Sequence, residues 1–184
     1  MIDILERVGR MRFWIIGVCT LLLLAAGHAA GEDVEIRIGY LRAPEPRTAI
    51  SLLDVPAENN GVAGARLAIE DNNTTGRFLR QRFVLDEMRI EPGQDAAAAA
   101  LALGERGAGF IIADLRADAL LRAADAGRAS GLLFFNVSAP DERLREEDCR
   151  ANVIHTAPSR AMLADALAQY LVWKRWRNWL LVAG

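Results

Sequence analysis

Two histidines and two cysteines among 184 residues leave little material for metal chemistry. One of each, Cys19 and His28, falls in the first thirty residues, so a chain processed there keeps only His155 and Cys149. A catalytic metal centre takes three protein ligands, commonly from His, Asp, Glu and Cys, and no spaced carboxylate cluster makes up the shortfall. A histidine-based metal site is excluded. The fifteen glycines are not where nucleotide chemistry needs them. "GYLRAP" stands where a dinucleotide fold would place G-x-G-x-x-G, "GERGAG" has the wrong spacing and precedes a strand, and no P-loop occurs. A nucleophile elbow is missing too: Ser138 sits in "NVSAP", and His155 reads as a hydrogen-bonded structural residue. Long blocks of one charge are also absent. With a net charge of −2 and a pI near 5.8, composition gives no nucleic-acid footprint. The one basic and aromatic cluster, "KRWRNW", reads as a helix end where Lys174, Arg175 and Arg177 complement the C-terminal dipole.

What is present begins with a different kind of segment. Arg7, Arg10 and Arg12 precede "FWIIGVCTLLLLAAG", and "HAAG" supplies small residues for processing. Residues 1–29 read as a secretory signal peptide, with an apolar stretch shorter than the ~20 residues of a spanning helix. Cys149 is then a free buried thiol or half of a bridge whose partner lies outside this chain.

Past that segment, apolar runs alternate with helical patterns. "VEIRIGYL", "RFVLDEMRI", "GFIIADL" and "LLFFNVS" read as strands, and the unbroken apolar run in "WLLVAG" as a fifth, buried on both faces. Between them, "GVAGARLAIEDNN" places Val62, Ala65, Ala68 and Ile69 on one helical face, with Gly76 as a left-handed stop. The Ala-rich "QDAAAAALALGERG" is a second helix, Asp118 to Ala126 a third. Ser159 caps a fourth, whose inner face carries Leu163, Ala166, Leu167, Tyr170 and Leu171. Strands separated by helices of this length give an α/β fold, a parallel sheet with helices on both faces. Ligands in such sheets sit beyond the carboxyl ends of the strands, near the point where strand order reverses. The candidate ligand-binding residues are therefore Tyr40 and Arg42 after the first strand, Asp114 and Arg116 after the third, and Asn136 and Ser138 after the fourth. The long connection from Arg42 to Asn60 reads as a functional lip. The charged stretch after Ala139, with its short extended piece from Asn152 to Thr156, reads as a crossing between two bodies.

The order "IRIGYL", "GVAGARLAIEDNN", "FVLDEMRI", "GAGFIIADLRADALLRAADAGRASGLLFFNVSAPDERL", "NVIHTAPSRAMLADALAQYLVWKRWRNWLLVAG" resembles extracytoplasmic solute-binding proteins of the branched-chain amino acid type, which serve ABC importers. More narrowly it resembles the subgroup associated with PQQ-dependent alcohol oxidation systems. The resemblance implies a type I periplasmic-binding-protein fold of two lobes joined by a hinge. Residues 30–148 would form the first lobe, 149–158 the inter-lobe crossing, and 159–184 the beginning of a second lobe truncated after its first strand. It also implies a periplasmic monomer without cofactor or catalytic residues, whose partners are a small-molecule ligand and an ABC permease in the inner membrane, with no nucleic acid. In relatives of the amino acid type, a serine at the start of the third helix and a threonine after the fourth strand hold the ligand. Those places fall on Ala117 and Pro140, which offer no side-chain donor, so an amino acid headgroup would lack part of its usual hold. Backbone amides at the start of the third helix, with Arg116 or Arg42, suit an anionic group instead. Two rivals remain: a sensor of the same fold that reports ligand occupancy to a signalling partner, and an exported enzyme on a complete five-stranded, flavodoxin-like domain.

Overall fold

The computed structural model describes residues 33–43, 57–91 and 93–180, and the elements below belong to a unit spanning Glu35–Gly184. The proposed signal peptide, most of the Arg42–Asn60 connection and Leu181–Gly184 lie outside the described residues. Five strands, β1 (Val34–Arg42), β2 (Gln81–Arg89), β3 (Phe110–Asp114), β4 (Leu133–Asn136) and β5 (Val153–His155), form one sheet in the order β2-β1-β3-β4-β5. The pairs β1–β3, β3–β4 and β4–β5 run parallel. Among the described residues, the helices α1 (Val62–Leu79), α2 (Ala96–Glu105) and α3 (Ala117–Gly127) join successive strands from β1 to β4, the 3-10 turn Glu142–Arg145 lies between β4 and β5, and α4 (Arg160–Trp173) follows β5. Among the described residues no helix is long and apolar enough to cross a membrane.

Helix placement follows from the two-residue alternation of a strand. A side chain at Gly39 would meet Leu103 of α2 at 2.9 Å, whereas its neighbour Tyr40 turns to the opposite face, towards Gly61 at the start of α1. The core lies between the sheet and α2 and α3, where Leu103, Ile111, Leu120 and Phe134 are fully enclosed. Small residues bring these layers together. Ala96 and Ala100 of α2, with Ala123, Ala124 and Gly127 of α3, are all buried, and a Cβ on Gly127 would stand 2.9 Å from the Phe134 ring. Asp95 caps α2 by accepting from the Ala97 N–H.

On the other side, Asn73 fixes α1 to the sheet edge, donating to the Phe83 carbonyl at 2.9 Å and accepting from the Phe83 N–H at 2.7 Å. Gly76 does not end this helix. It lies inside α1, buried because a Cβ there would meet the Gln81 carbonyl at 2.6 Å; the left-handed cap is Arg80, φ 55°. The expected apolar face is also narrower. Val62 is buried and Ala65 and Ile69 are half-buried, while Ala68 is exposed.

The extended piece read as a crossing is β5, whose residues Val153–His155 pair with Phe134–Asn136 of β4. It therefore takes the place beside β4 that a self-contained domain would give to the C-terminal segment. Trp179 and Leu180, expected to begin a strand, are exposed and lie in no strand. Helix α4 starts as expected, with the buried Ser159 hydroxyl accepting from the Met162 N–H at 3.2 Å. Its first turn is also tied down: the Arg160 N–H donates to the Pro140 carbonyl and the Ala161 N–H to Glu142 Oε1. Its expected inner face is not inner. Leu163, Ala166, Leu167 and Tyr170 are exposed, Leu171 is half-buried, and α4 buries no residue among those described. The reading of "KRWRNW" as a helix end holds. Arg175 adopts φ 58°, and the Trp176 and Arg175 N–H groups return to the Leu171 and Val172 carbonyls, closing a Schellman motif.

Candidate functional site

Sheet order fixes where a ligand can sit. The chain leaves β1 for β2 on one side and returns past β1 to β3 on the other, so the order reverses between β1 and β3, and their carboxyl ends frame a crevice. A cavity of about 520 Å³ opens there, within the range of small-molecule sites. Its wall comes from the ends of three strands and the element after each: Ala43 beyond β1, Asp114 to Asp118 from β3 into α3, and Ser138 to Asp141 beyond β4. Arg143 and Arg160 complete it.

Backbone N–H groups at the start of α3 precede the first intrahelical bond, in which the Leu120 N–H donates to the Arg116 carbonyl at 2.9 Å. The side chain of the cap residue, Arg116, makes no capping bond. The N-terminal end of the α3 dipole, at Arg116, Ala117 and Asp118, therefore meets the cavity. Asp118 in that first turn is exposed, and its bond from Arg143 holds its carboxyl below the usual range. Arg143 also reaches Asp148 at 2.8 Å, so its charge is shared between two carboxylates. Arg160 approaches Asp141 at 3.4 Å.

Asp114 joins the cavity to the sheet. Its Oδ2 accepts from the Tyr40 hydroxyl at 3.1 Å, and burial, followed by the Asp114 charge, pushes the Tyr40 phenol up to about 12. Gly61 makes room for this pair. It has φ +81°, and a Cβ there would stand 2.5 Å from the Tyr40 oxygen. Ser138 links the loops after β3 and β4 by donating its hydroxyl proton to the Leu115 carbonyl at 3.0 Å, which leaves its oxygen able to accept.

Of the residues named from sequence, Asp114, Arg116, Ala117 and Ser138 come together on the cavity wall, with Pro140. Tyr40 stands behind Asp114 rather than on the wall. Arg42 donates to the Glu58 carbonyl at 2.9 Å and is not a lining residue. Asn136, fully buried, is committed to the loop after β4: its Oδ1 accepts from the Ala139 and Ser138 N–H groups at 2.9 and 3.3 Å, and its Nδ2 donates to the Ala139 carbonyl at 2.7 Å. Sequence reasoning did not single out Asp118, Asp141, Arg143 or Arg160. The available signal was their position, since Asp141 and Arg143 continue beyond the same strand end as Ser138. Among the described residues no group of three or more His, Cys, Asp or Glu is placed to hold a metal ion.

No protein-family model matches this sequence, and no curated protein sequence matches it. Solved structures do. An ABC transporter substrate-binding protein from Desulfitobacterium hafniense, in complex with Leu, is similar with 21% identity and a TM-score of 0.60, over 76% of this chain and 39% of that one. The closed leucine-, isoleucine-, valine-, threonine- and alanine-binding protein from Brucella ovis is 17% identical, TM-score 0.60, over 77% of this chain and 37% of that one. The branched-chain amino acid transporter substrate-binding protein LivJ from Streptococcus pneumoniae, in complex with isoleucine, is 14% identical, TM-score 0.54, over 76% of this chain and 38% of that one. The chain thus spans less than two fifths of the length of these structures. At such identities the likeness shows the fold alone: a parallel α/β sheet of the type I periplasmic-binding-protein class.

Proposed function

We propose that this chain carries one ligand-facing lobe of an extracytoplasmic solute-binding protein, exported through a cleaved signal peptide to the periplasm, which captures a small polar organic molecule and delivers it to an ABC permease. The observation that carries the reading is the cavity at the β1/β3 switch point, where the start of α3, the side chains of Arg116, Arg143 and Arg160 and the carboxylates of Asp114, Asp118 and Asp141 converge. Solute-binding proteins of the same fold, crystallised with leucine or isoleucine, support it. Ala117 and Pro140 line the cavity without side-chain donors, which argues against an α-amino acid held in the usual way. The α3 amides with Arg116 suit an anionic or strongly polar acceptor group, and Asp114 suits a hydroxyl or amine. A link to PQQ-dependent alcohol oxidation rests on the sequence resemblance.

In this reading the opposite wall of the cleft belongs to a second lobe, residues 149–158 lead towards it, and α4 is its beginning, with exposed side chains that the rest of that lobe covers. Binding then favours a closed arrangement in which each lobe supplies part of the contacts. Thermal-shift screening of the 184-residue chain and of a two-lobed chain, against small carboxylates, alcohols and amino acids, tests this. One compound should raise the Tm of the two-lobed chain by several degrees and barely move that of the shorter one. Turnover of any compound, or an equal shift in both chains, would refute the proposal.

A further inference from the structure

The loop after β4 supplies a wall of the cavity through Ser138, Ala139 and Pro140, and its conformation depends on the Asn136 side chain. That side chain is oriented by three backbone partners: two N–H groups at Oδ1 and one carbonyl at Nδ2. The fourth partner is a titratable ring. Register places Asn136 directly opposite His155 on β5, and Asn136 Nδ2 lies 3.0 Å from His155 Nδ1. An amide nitrogen only donates, so Nδ1 must be bare. His155 Nε2 lies 3.2 Å from the Leu144 carbonyl, which only accepts, so Nε2 must carry the proton. Both ring nitrogens are thereby assigned, and the ring is held as one neutral tautomer.

We propose that Asn136 and His155 form a positioning pair for the Ser138–Pro140 wall, and that protonation of His155 at Nδ1 releases that wall. A proton on Nδ1 sets two donors against each other. Turning the Asn136 amide over would mend this single contact and lose the three bonds to Ser138 and Ala139, so either the ring or the amide has to leave its place. The surroundings already disfavour the charged ring. Burial, then the Arg145 cation on the 3-10 turn Glu142–Arg145, hold His155 below its usual range, with the Leu144 carbonyl acting the other way. Arg145 is the charged group acting on the ring; β4 presents Asn136 and the turn presents Leu144. Because the folded ring titrates below its unfolded value of ~6.5, the unfolded chain binds the extra proton between the two values. Stability is therefore full above ~6.5 and falls as pH drops through the folded value.

The consequence for affinity rests on the solute-binding reading: ligand should be held less tightly below the ring's midpoint. The positioning claim is tested without ligand, on the whole chain, by following the His155 ring nitrogens and the Ser138 and Ala139 amides by NMR from pH 8 to 5. The expected result is a ring protonated at Nε2, with a midpoint below 6.5 and a step in both amide resonances at that midpoint. In His155→Asn, whose Oδ1 can accept from Asn136 without titrating, the step should vanish. A ring protonated at Nδ1, amides that stay still while the ring titrates, or a step that persists in His155→Asn would each overturn the proposal. Should that variant not fold, the titration of the unaltered chain decides alone. Failure of the solute-binding screen would leave these spectra unaffected, and failure here would leave the screen standing.

Discussion

Helices α3 and α4 both carry leucine and alanine at helical spacing and meet opposite fates, α3 with its apolar residues gathered on one face and α4 with them spread around the helix. Leu120 of α3, with Ala123 and Ala124 one turn on, is fully enclosed against the sheet. Leu163 and Leu167 of α4 repeat the spacing and are 56% and 59% exposed. Both helices are anchored at their first turns, α4 through Ser159, Pro140 and Glu142. They differ also in what lies opposite. The face of α3 meets β4 and α2, whereas nothing in the described chain covers α4 beyond its first turn. Leucines four residues apart thus do not by themselves mark a buried face: the rest of the helix must keep that face apolar, and a partner must lie opposite it.

Truncation breaks this comparison most sharply in the packed body. Phe134→Ala, which empties a fully enclosed position between β4 and α3, should cost about 3–5 kcal/mol in chemical denaturation. Ser159→Ala acts at the joint between the two regions. It removes the α4 cap and should cost about 1 kcal/mol, with a selective rise in hydrogen exchange at Met162 and its neighbours. Leu167→Ala should change the stability of this chain by no more than about 0.5 kcal/mol, the range of ordinary surface substitutions. In a two-lobed chain the same substitution should cost several times more, and equal small effects in both chains would mean that no lobe covers α4.

Much of the fold was legible because its signals are local. Apolar runs of strand length, the helix-forming alanines of α2 and the cap at Ser159 each concern residues a few places apart. The errors arose where a neighbouring element intervenes. Gly76 looks like a helix stop, but it is a helical residue thinned to let the Gln81 carbonyl pass. The Asn152–Thr156 piece was recognised as extended, yet its membership of the sheet depends on β4 accepting it as a neighbour. The site was partly legible for the same reason. Asp114, Arg116 and Ser138 follow from the rule that ligands gather at strand ends. Arg143 and Arg160 arrive from elements whose approach is set by packing, and Asn136, two residues before Ser138, is turned inward to bind its own loop.

Composition and periodicity by themselves determined the fold class of this protein and its alternation of strands and helices, because each depends on residue type and short spacing. Only the tertiary structure decided the strand order, the cavity at the β1/β3 reversal, the joining of Asn136 to His155 and the exposure of α4. Those depend on which distant surfaces meet, and a one-dimensional pattern constrains such meetings weakly, since any apolar face of suitable shape can satisfy another.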